Sequence, residues 1–464
     1  MQPLRGLLID SARCLESRKY YRDLIRFAAE RGMNTLVWHF TDDQGCTLQF
    51  DAAPEAAGPN AYSKAEMKAL VRFARSLKVT LIPELESLGH SRYLTRHPRF
   101  SHLLESEEEF TAICPVAEET RAIMRALLGE IAEIFDSPYI HVGLDEVKLG
   151  GNPMTKKALR RKTERELLAD YAIFLHGEVT KLGRRMIMWG DRRTRALDIL
   201  RLLPRDIIVA DWEYSREVAP DQVEHFLALG FDVLLCPALI TYDQPFLAGE
   251  RLGTANVRSM SAHQTLPAKG GRVLGIVTTM WTPTRYLHDA QWFALALGAE
   301  IMRDEKVSIR AATRRFLAEY HGVSPPPSDL IKAWMSLSEL APVRDPYLSL
   351  LRGERLGELD SAALRRDLAG WLEISEALGR HRTLVRRQHR AWDTMRLAVS
   401  FVIYLHRRGL GLPGSSTASG KLLLERLRST WNRERFFNDP RKSEVAFRFD
   451  RAEHLLLSFA DSLA

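Results

Sequence analysis

Only four cysteines, Cys14, Cys46, Cys114 and Cys236, occur in the 464 residues, and no two form a Cys-x-x-Cys pair. Their scatter excludes a zinc knuckle and a disulfide framework, and free thiols in a reducing compartment are expected. No run approaches the roughly 18 apolar residues that a membrane helix needs. The first residues, Met1-Gln2-Pro3-Leu4-Arg5-Gly6, lead into a short apolar Leu7-Leu8-Ile9 that Asp10 closes at once. A secretory leader needs a longer apolar segment, so a cytoplasmic chain with no membrane partner is expected. Charge of one sign is also scarce. A formal net charge of +7 is small for this length and gives weak ground for a nucleic-acid partner. Arg386, Arg387 and Arg390 lie in a helical pattern whose solvated face they suit. Clusters at metal-ligand spacing are missing too, so neither metal nor organic cofactor is expected.

What is present is an ordinary globular composition, 45% hydrophobic and 27% charged, enough for a large core and an additional domain. From residue 6 to about 305, strand-like and helix-like runs alternate. The strand-like runs are Gly6 to Asp10, Thr35 to Phe40, Val79 to Glu86, Tyr139 to Glu146, Arg185 to Trp189, Ile207 to Trp212, Asp232 to Pro237 and Val273 to Trp281. Helical periodicity follows over Ser17 to Arg31, Ser63 to Leu77, Glu118 to Phe135, Thr163 to Leu182, Pro220 to Leu229 and Asp289 to Arg303, with a short apolar segment around Ala196 to Leu203. Repeated alternation implies parallel strands with crossover helices, and eight such units fit a (β/α)8 TIM barrel. After Ser308 the pattern is helical only, so the expected division is a barrel over 1–305 and a helical domain over 306–464. The helices would pack on the barrel or form an oligomer interface, which leaves a homodimer open.

The ends of the strands carry the chemistry. They hold Asp10 with Arg13, His39 with Asp42 and Asp43, Glu84 to His90, Asp145 with Glu146, Trp189 with Asp191, Trp212 with Glu213, Tyr242 with Asp243, and Trp281. A barrel brings such ends to one face, where they would line one pocket. Asp145 and Glu146 close the apolar run Tyr139-Ile140-His141-Val142-Gly143-Leu144. The plain reading makes Asp145 a helix cap and Glu146 a solvated carboxylate; convergence on one pocket makes them a catalytic pair. Aromatic rings beside carboxylates suit a sugar, whose axial hydrogens stack on ring faces. Glycoside hydrolysis ordinarily needs an acid and a second carboxylate flanking the bond, which neighbours on a regular strand cannot do. Adjacent carboxylates at a turn make sense where the nucleophile belongs to the substrate.

The motifs Arg13, His39-Phe40-Thr41-Asp42-Asp43, Pro83-Glu84 with Gly89-His90, and His141-Val142-Gly143-Leu144-Asp145-Glu146 resemble, in order and spacing, those of family 20 glycoside hydrolases, the β-N-acetylhexosaminidases. The resemblance covers about residues 5 to 305. It implies retaining, substrate-assisted hydrolysis of terminal N-acetylglucosamine or N-acetylgalactosamine from a glycoside or glycoconjugate, through an oxazolinium intermediate. By it, Glu146 is the acid and then the base, and Asp145 orients the 2-acetamido group. Tyr242 donates to the acetamido oxygen; Trp189, Trp212 and Trp281 wall that group in. Arg13 and Asp42 hold ring hydroxyls, and His90 supports the acid. Two departures stand out: Trp281-Thr282-Pro283 lacks the Glu of a frequent Trp-x-Glu, and Tyr242-Asp243 replaces Tyr-x-Asp. In lacking a preceding α/β domain and a leader, the chain is similar to the intracellular hexosaminidase D-like group. Two other readings are a catalytically weak carbohydrate-binding barrel and a basic interaction protein acting through its helical domain.

Overall fold

The structure, a computed structural model, describes residues 2–106, 111–191, 198–240, 250–281, 287–339, 349–350, 353, 358–434 and 458–464. Two compact units divide the chain, one of Met1–Ala238 with Ser259–Met280, the other of Leu239–Arg258 with Trp281–Ala464.

The first unit holds eight parallel strands, β1 (Leu4–Asp10), β2 (Thr35–His39), β3 (Thr80–Glu84), β4 (Tyr139–His141), β5 (Arg185–Trp189), β6 (Ile208–Asp211), β7 (Asp232–Leu235) and β8 (Val273–Met280). Each pairs with the next, and β8 returns to β1, so the sheet closes into the expected barrel. Strands covered on both sides read as continuous apolar runs, and Leu36, Ile82, Ile140, Ile187, Val209 and Val233 are buried accordingly. Outside lie α1 (Arg18–Glu30), α2 (Lys64–Ser76), α3 (Glu118–Ile134), α4 (Glu164–Lys181) and α5 (Asp221–Ala228). Side-chain caps set their starts: Ser17 accepts from the Tyr20 amide, and Ser63 with Glu66 and Thr163 with Glu166 form capping boxes. Between β5 and β6 the described part of the expected short apolar segment forms a 3-10 turn, Ile199–Leu202.

Register places function. Asp10, His39, Glu84 and His141 are successive partners across β1 to β4, so a polar belt crosses the barrel at the level where the strands end. The strand expected over Tyr139 to Glu146 ends at His141. From Gly143 the chain turns, with φ of +67° at Gly143, +76° at Leu144 and +49° at Glu146.

The second unit contains α6 (Trp292–Arg303), α7 (Ile309–Glu319), α8 (Ser328–Glu339), α9 (Glu358–Arg380), α10 (His389–Gly409) and α11 (Thr417–Glu434). Phe293, Phe316, Trp334 and Trp392 pack as a cluster with ring centres 5.2 to 5.8 Å apart. His321 lies against Trp334 and Trp392, and burial pushes its pKa down to about 3. Arg386, Arg387 and Arg390 are exposed, as a solvated face requires. No helix among the described residues is long and apolar enough to cross a membrane.

Candidate active site

The polar belt is a connected network. Arg13, three residues past β1, lies 3.0 Å from Asp10 and 2.7 Å from Asp42. Burial disfavours its charge, but Asp42 and Asp10 outweigh that and hold its pKa above the ordinary arginine range. Asp42 Oδ2 also lies 3.4 Å from His39 Nε2 and 3.4 Å from His90 Nδ1, and its Oδ1 accepts from the Gln44 amide at 3.2 Å. Arg13 above all, then His39 and His90, offset the cost of burying Asp42 and keep its carboxyl well below the usual range.

His39 Nδ1 faces Glu84 at 3.2 Å. Burial opposes a charged imidazole there, yet Glu84 and Asp42 raise the pKa of His39 well above its ordinary value. Glu84 accepts the Trp189 indole N–H at 2.8 Å and lies 3.6 Å from His141. Burial works against its ionised form, but His141, His39 and the Trp189 N–H hold it below the ordinary glutamate range. His141 itself accepts the Gly143 amide at 3.1 Å and is pushed down to about 4 by burial.

Carboxylates converge where β4 ends. His90 Nε2 lies 3.1 Å from Glu146 and 3.7 Å from Asp145, and the three donor atoms fall within 4.8 Å of one another. Burial lowers the pKa of His90, but hydrogen bonds to Asp43 and Glu146 and the charges of Asp145 and Asp42 raise it well above the ordinary value. His90 thus bridges Asp42 to the pair. Burial, then the charges of Glu146, Asp191 and Glu84 against that of His90, lift Asp145 to about 7. Glu146 is the more open of the two, its side chain 32% exposed against 15% for Asp145.

The turn that presents them needs two glycines. Gly143 adopts a left-handed φ of +67°, and a Cβ on it would meet Glu86 Oε2 at 2.0 Å. A Cβ on Gly89 would meet the Asp145 carbonyl at 2.2 Å. Leu144 and Glu146 take left-handed conformations without that freedom, at a cost of about 1–3 kcal/mol each. Glu86 was not singled out in the sequence. Its spacing of two from Glu84 was the available signal, since alternate strand residues share a face. Burial, then the charge of Asp145, raises its pKa well above the ordinary range, and it lies behind the turn against Gly143.

Arg13, Asp42, His90, Asp145 and Glu146 are thus brought together. Asp42, 1% exposed, lies beneath Arg13, whose side chain is 10% exposed. Trp189 is only 2% exposed and forms floor under the site; its ring lies 4.4 Å from that of His141. Trp212 directly follows β6, half-buried and 5.4 Å from the Tyr214 ring. Trp281 follows β8 and is the first residue of that stretch of the second unit. Tyr242 lies outside the described residues. Two trios, His39/Glu84/Glu86 and His90/Asp145/Glu146, bring potential metal donors within 4.8 Å. In both, the imidazole lies 3.1 to 3.9 Å from the carboxylates.

Fold and site together define a (β/α)8 barrel with a carboxylate pair on the turn after β4. The chain belongs to glycosyl hydrolase family 20: the model of that family's catalytic domain matches residues 3–291. It is 24% identical over 280 residues to a β-hexosaminidase of Vibrio furnissii, covering 51% of this chain and 43% of that one. It is 26% identical over 263 residues to the human β-hexosaminidase subunit beta, covering 52% and 46%. The chain thus spans less than half the length of these relatives. Among solved structures, it is similar to an exo β-N-acetylglucosaminidase from Vibrio harveyi, with TM-score 0.52, 24% identity and coverage of 64% and 54%. A Bacteroides fragilis β-N-acetylhexosaminidase gives TM-score 0.54, 20% identity and 65% coverage of both chains. These structural likenesses speak for the fold.

Proposed function

We propose that the chain is an exo-β-N-acetylhexosaminidase, releasing terminal β-linked N-acetylglucosamine or N-acetylgalactosamine by a retaining, substrate-assisted reaction. The observation that carries this reading is that the pair stands side by side on one turn and does not flank a bond. Asp145 and Glu146 offer oxygens within 4.8 Å of each other on one turn, both facing His90. Inverting glycosidases hold their carboxyls about 6.5–9.5 Å apart and ordinary retaining ones about 5–5.5 Å, across the bond. Side by side, one carboxylate serves the leaving group and the other has no place as a nucleophile.

Glu146, the more exposed, protonates the glycosidic oxygen and later takes a proton from water. His90, fixed by Asp42, hydrogen-bonds Glu146 and sets its orientation. Asp145 receives the acetamido N–H. The acetamido oxygen attacks the anomeric carbon, the aglycone bond breaks, and positive charge grows on the acetamido nitrogen. That charge favours the ionised form of Asp145, whose pKa burial and Glu146 otherwise lift to about 7. Water then opens the oxazolinium ring with overall retention. Arg13 reaches the ring hydroxyls from the rim.

The test is hydrolysis of aryl β-glycosides of N-acetylglucosamine, N-acetylgalactosamine and glucose by wild type and Glu146→Gln. Cleavage of the acetamido sugars alone is expected, with a loss of about 10²–10⁴ in the variant on poor leaving groups. Cleavage of none, or an unaffected variant, would overturn the assignment.

A further inference from the structure

Gly143 to Glu146 depart from the strand into a left-handed turn, and such a turn persists only if both flanks are held. On its N-terminal side β4 does this. What holds the other side lies 41 residues upstream of Glu146, in the connection between β3 and α3.

Glu105 is 2% exposed. Its Oε1 accepts the amides of Gly150, of Gly151 at 3.0 Å and of Asn152 at 3.4 Å. Its Oε2 accepts the Thr155 hydroxyl at 2.7 Å. Three consecutive backbone donors and a hydroxyl thus close on one buried carboxylate, and charge-assisted bonds of this kind are the strong ones. Asn152 returns the contact by donating to the carbonyls of His102 and Leu104, each at 3.0 Å. Cys114 Sγ lies 3.3 Å from the Thr155 hydroxyl. The same connection carries His90 against the catalytic carboxylates and Gly89 against the Asp145 carbonyl. It therefore touches the turn at Asp145 and Glu146 and the chain beyond it at Gly150–Asn152, where Glu105 is its only carboxylate among the described contacts.

We propose that Glu105 is a positioning residue for the general acid: by anchoring Gly150–Asn152 it fixes the exit of the turn and so the placement of Glu146. The inference rests on the reading of Glu146 as acid. Displacing a catalytic group by about 1 Å can cost about 100-fold, and the loss falls where proton donation matters.

The experiment compares wild type, Glu105→Ala, Glu105→Gln and Glu146→Gln on two N-acetylglucosaminides, one with a 2,4-dinitrophenyl group that leaves unprotonated and one with a methyl group that needs the acid. Glu105→Ala is expected to lose about 10- to 100-fold in kcat on the methyl glycoside and little on the dinitrophenyl one, with KM nearly unchanged. Glu105→Gln, which keeps a carbonyl oxygen for the three amides, recovers most of that loss. Equal losses on both substrates, or none, would overturn the proposal. If Glu105→Ala does not fold, Glu105→Asp, whose shorter side chain cannot reach all four donors, decides by the same ratio: a wild-type ratio of the two rates in that variant counts against the proposal. Should wild type cleave neither glycoside, or Glu146→Gln show no leaving-group dependence, the reading of Glu146 fails instead.

Discussion

At the strand ends of the barrel, His39, Asp42, Glu84, Glu86 and His90 are each no more than 3% exposed and lie against one another. In the helical unit, other charged pairs lie at the surface. Arg380 pairs with Asp329 at 2.9 Å, and the side chains stay 55% and 44% exposed; Lys332 and Glu373, 3.3 Å apart, are 72% and 70% exposed. Two of its buried histidines, His321 and His406, have pKa values lowered by burial. The contrast separates two uses of ionisable residues. Exposed pairs contribute little and can be exchanged, whereas buried ions demand partners on every side and are costly to disturb singly. A fold keeps such a cluster where its electrostatics serve chemistry, and here it adjoins Asp145 and Glu146.

Asp42→Asn breaks this comparison most severely, because one carboxylate oxygen faces Arg13, His39 and His90. A loss of about 3–5 kcal/mol in urea unfolding is expected, with activity lost in the fraction that stays folded. Asp145→Asn sharpens it in the opposite sense. Asp145 titrates near 7 in the folded chain and near 4 when unfolded. Between those values the native state holds a proton that the unfolded state has released, so this group's contribution falls as pH rises from 4 to 7. The variant should therefore melt higher than wild type, by more at pH 8 than at pH 4, while losing activity.

A smaller effect follows from Asp191, whose charge is among the causes raising Asp145, after burial and Glu146. In Asp191→Asn the acid limb of kcat/KM, which reports the free enzyme, should move to lower pH than the wild-type limb near 7. Least of all, Asp329→Asn at the helical surface should change stability by under about 1 kcal/mol. A loss there as large as that of Asp42→Asn would erase the distinction between the two regions.

Much of this was legible in the sequence. Arg185 to Trp189 is a strand as read, and helix starts at Ser17, Ser63 and Thr163 follow from side chains that cap by their own chemistry. The strand read through to Glu146 stops at His141, because the apolar Val142 and Leu144 look like strand residues whether or not the backbone continues extended. Arg13, Asp42, His90, Asp145 and Glu146 were legible because each ends a strand or follows one closely. Glu86 and Glu105 were not: their roles arise from contacts with Gly143 and with Gly150–Asn152, which only the closed barrel brings near. The burial of Trp189 was hidden too, since a tryptophan at a strand end reads alike as wall or floor.

In the proposed reaction the substrate supplies the nucleophile, because Asp145 and Glu146 stand side by side on one turn. The most direct measurement is kcat/KM for one aryl β-glucosaminide whose N-acetyl group carries zero, one, two or three fluorines. Each fluorine weakens the carbonyl oxygen as a nucleophile and leaves its size nearly unchanged. A steep fall along the series is the predicted result; equal rates across all four substrates would contradict the account.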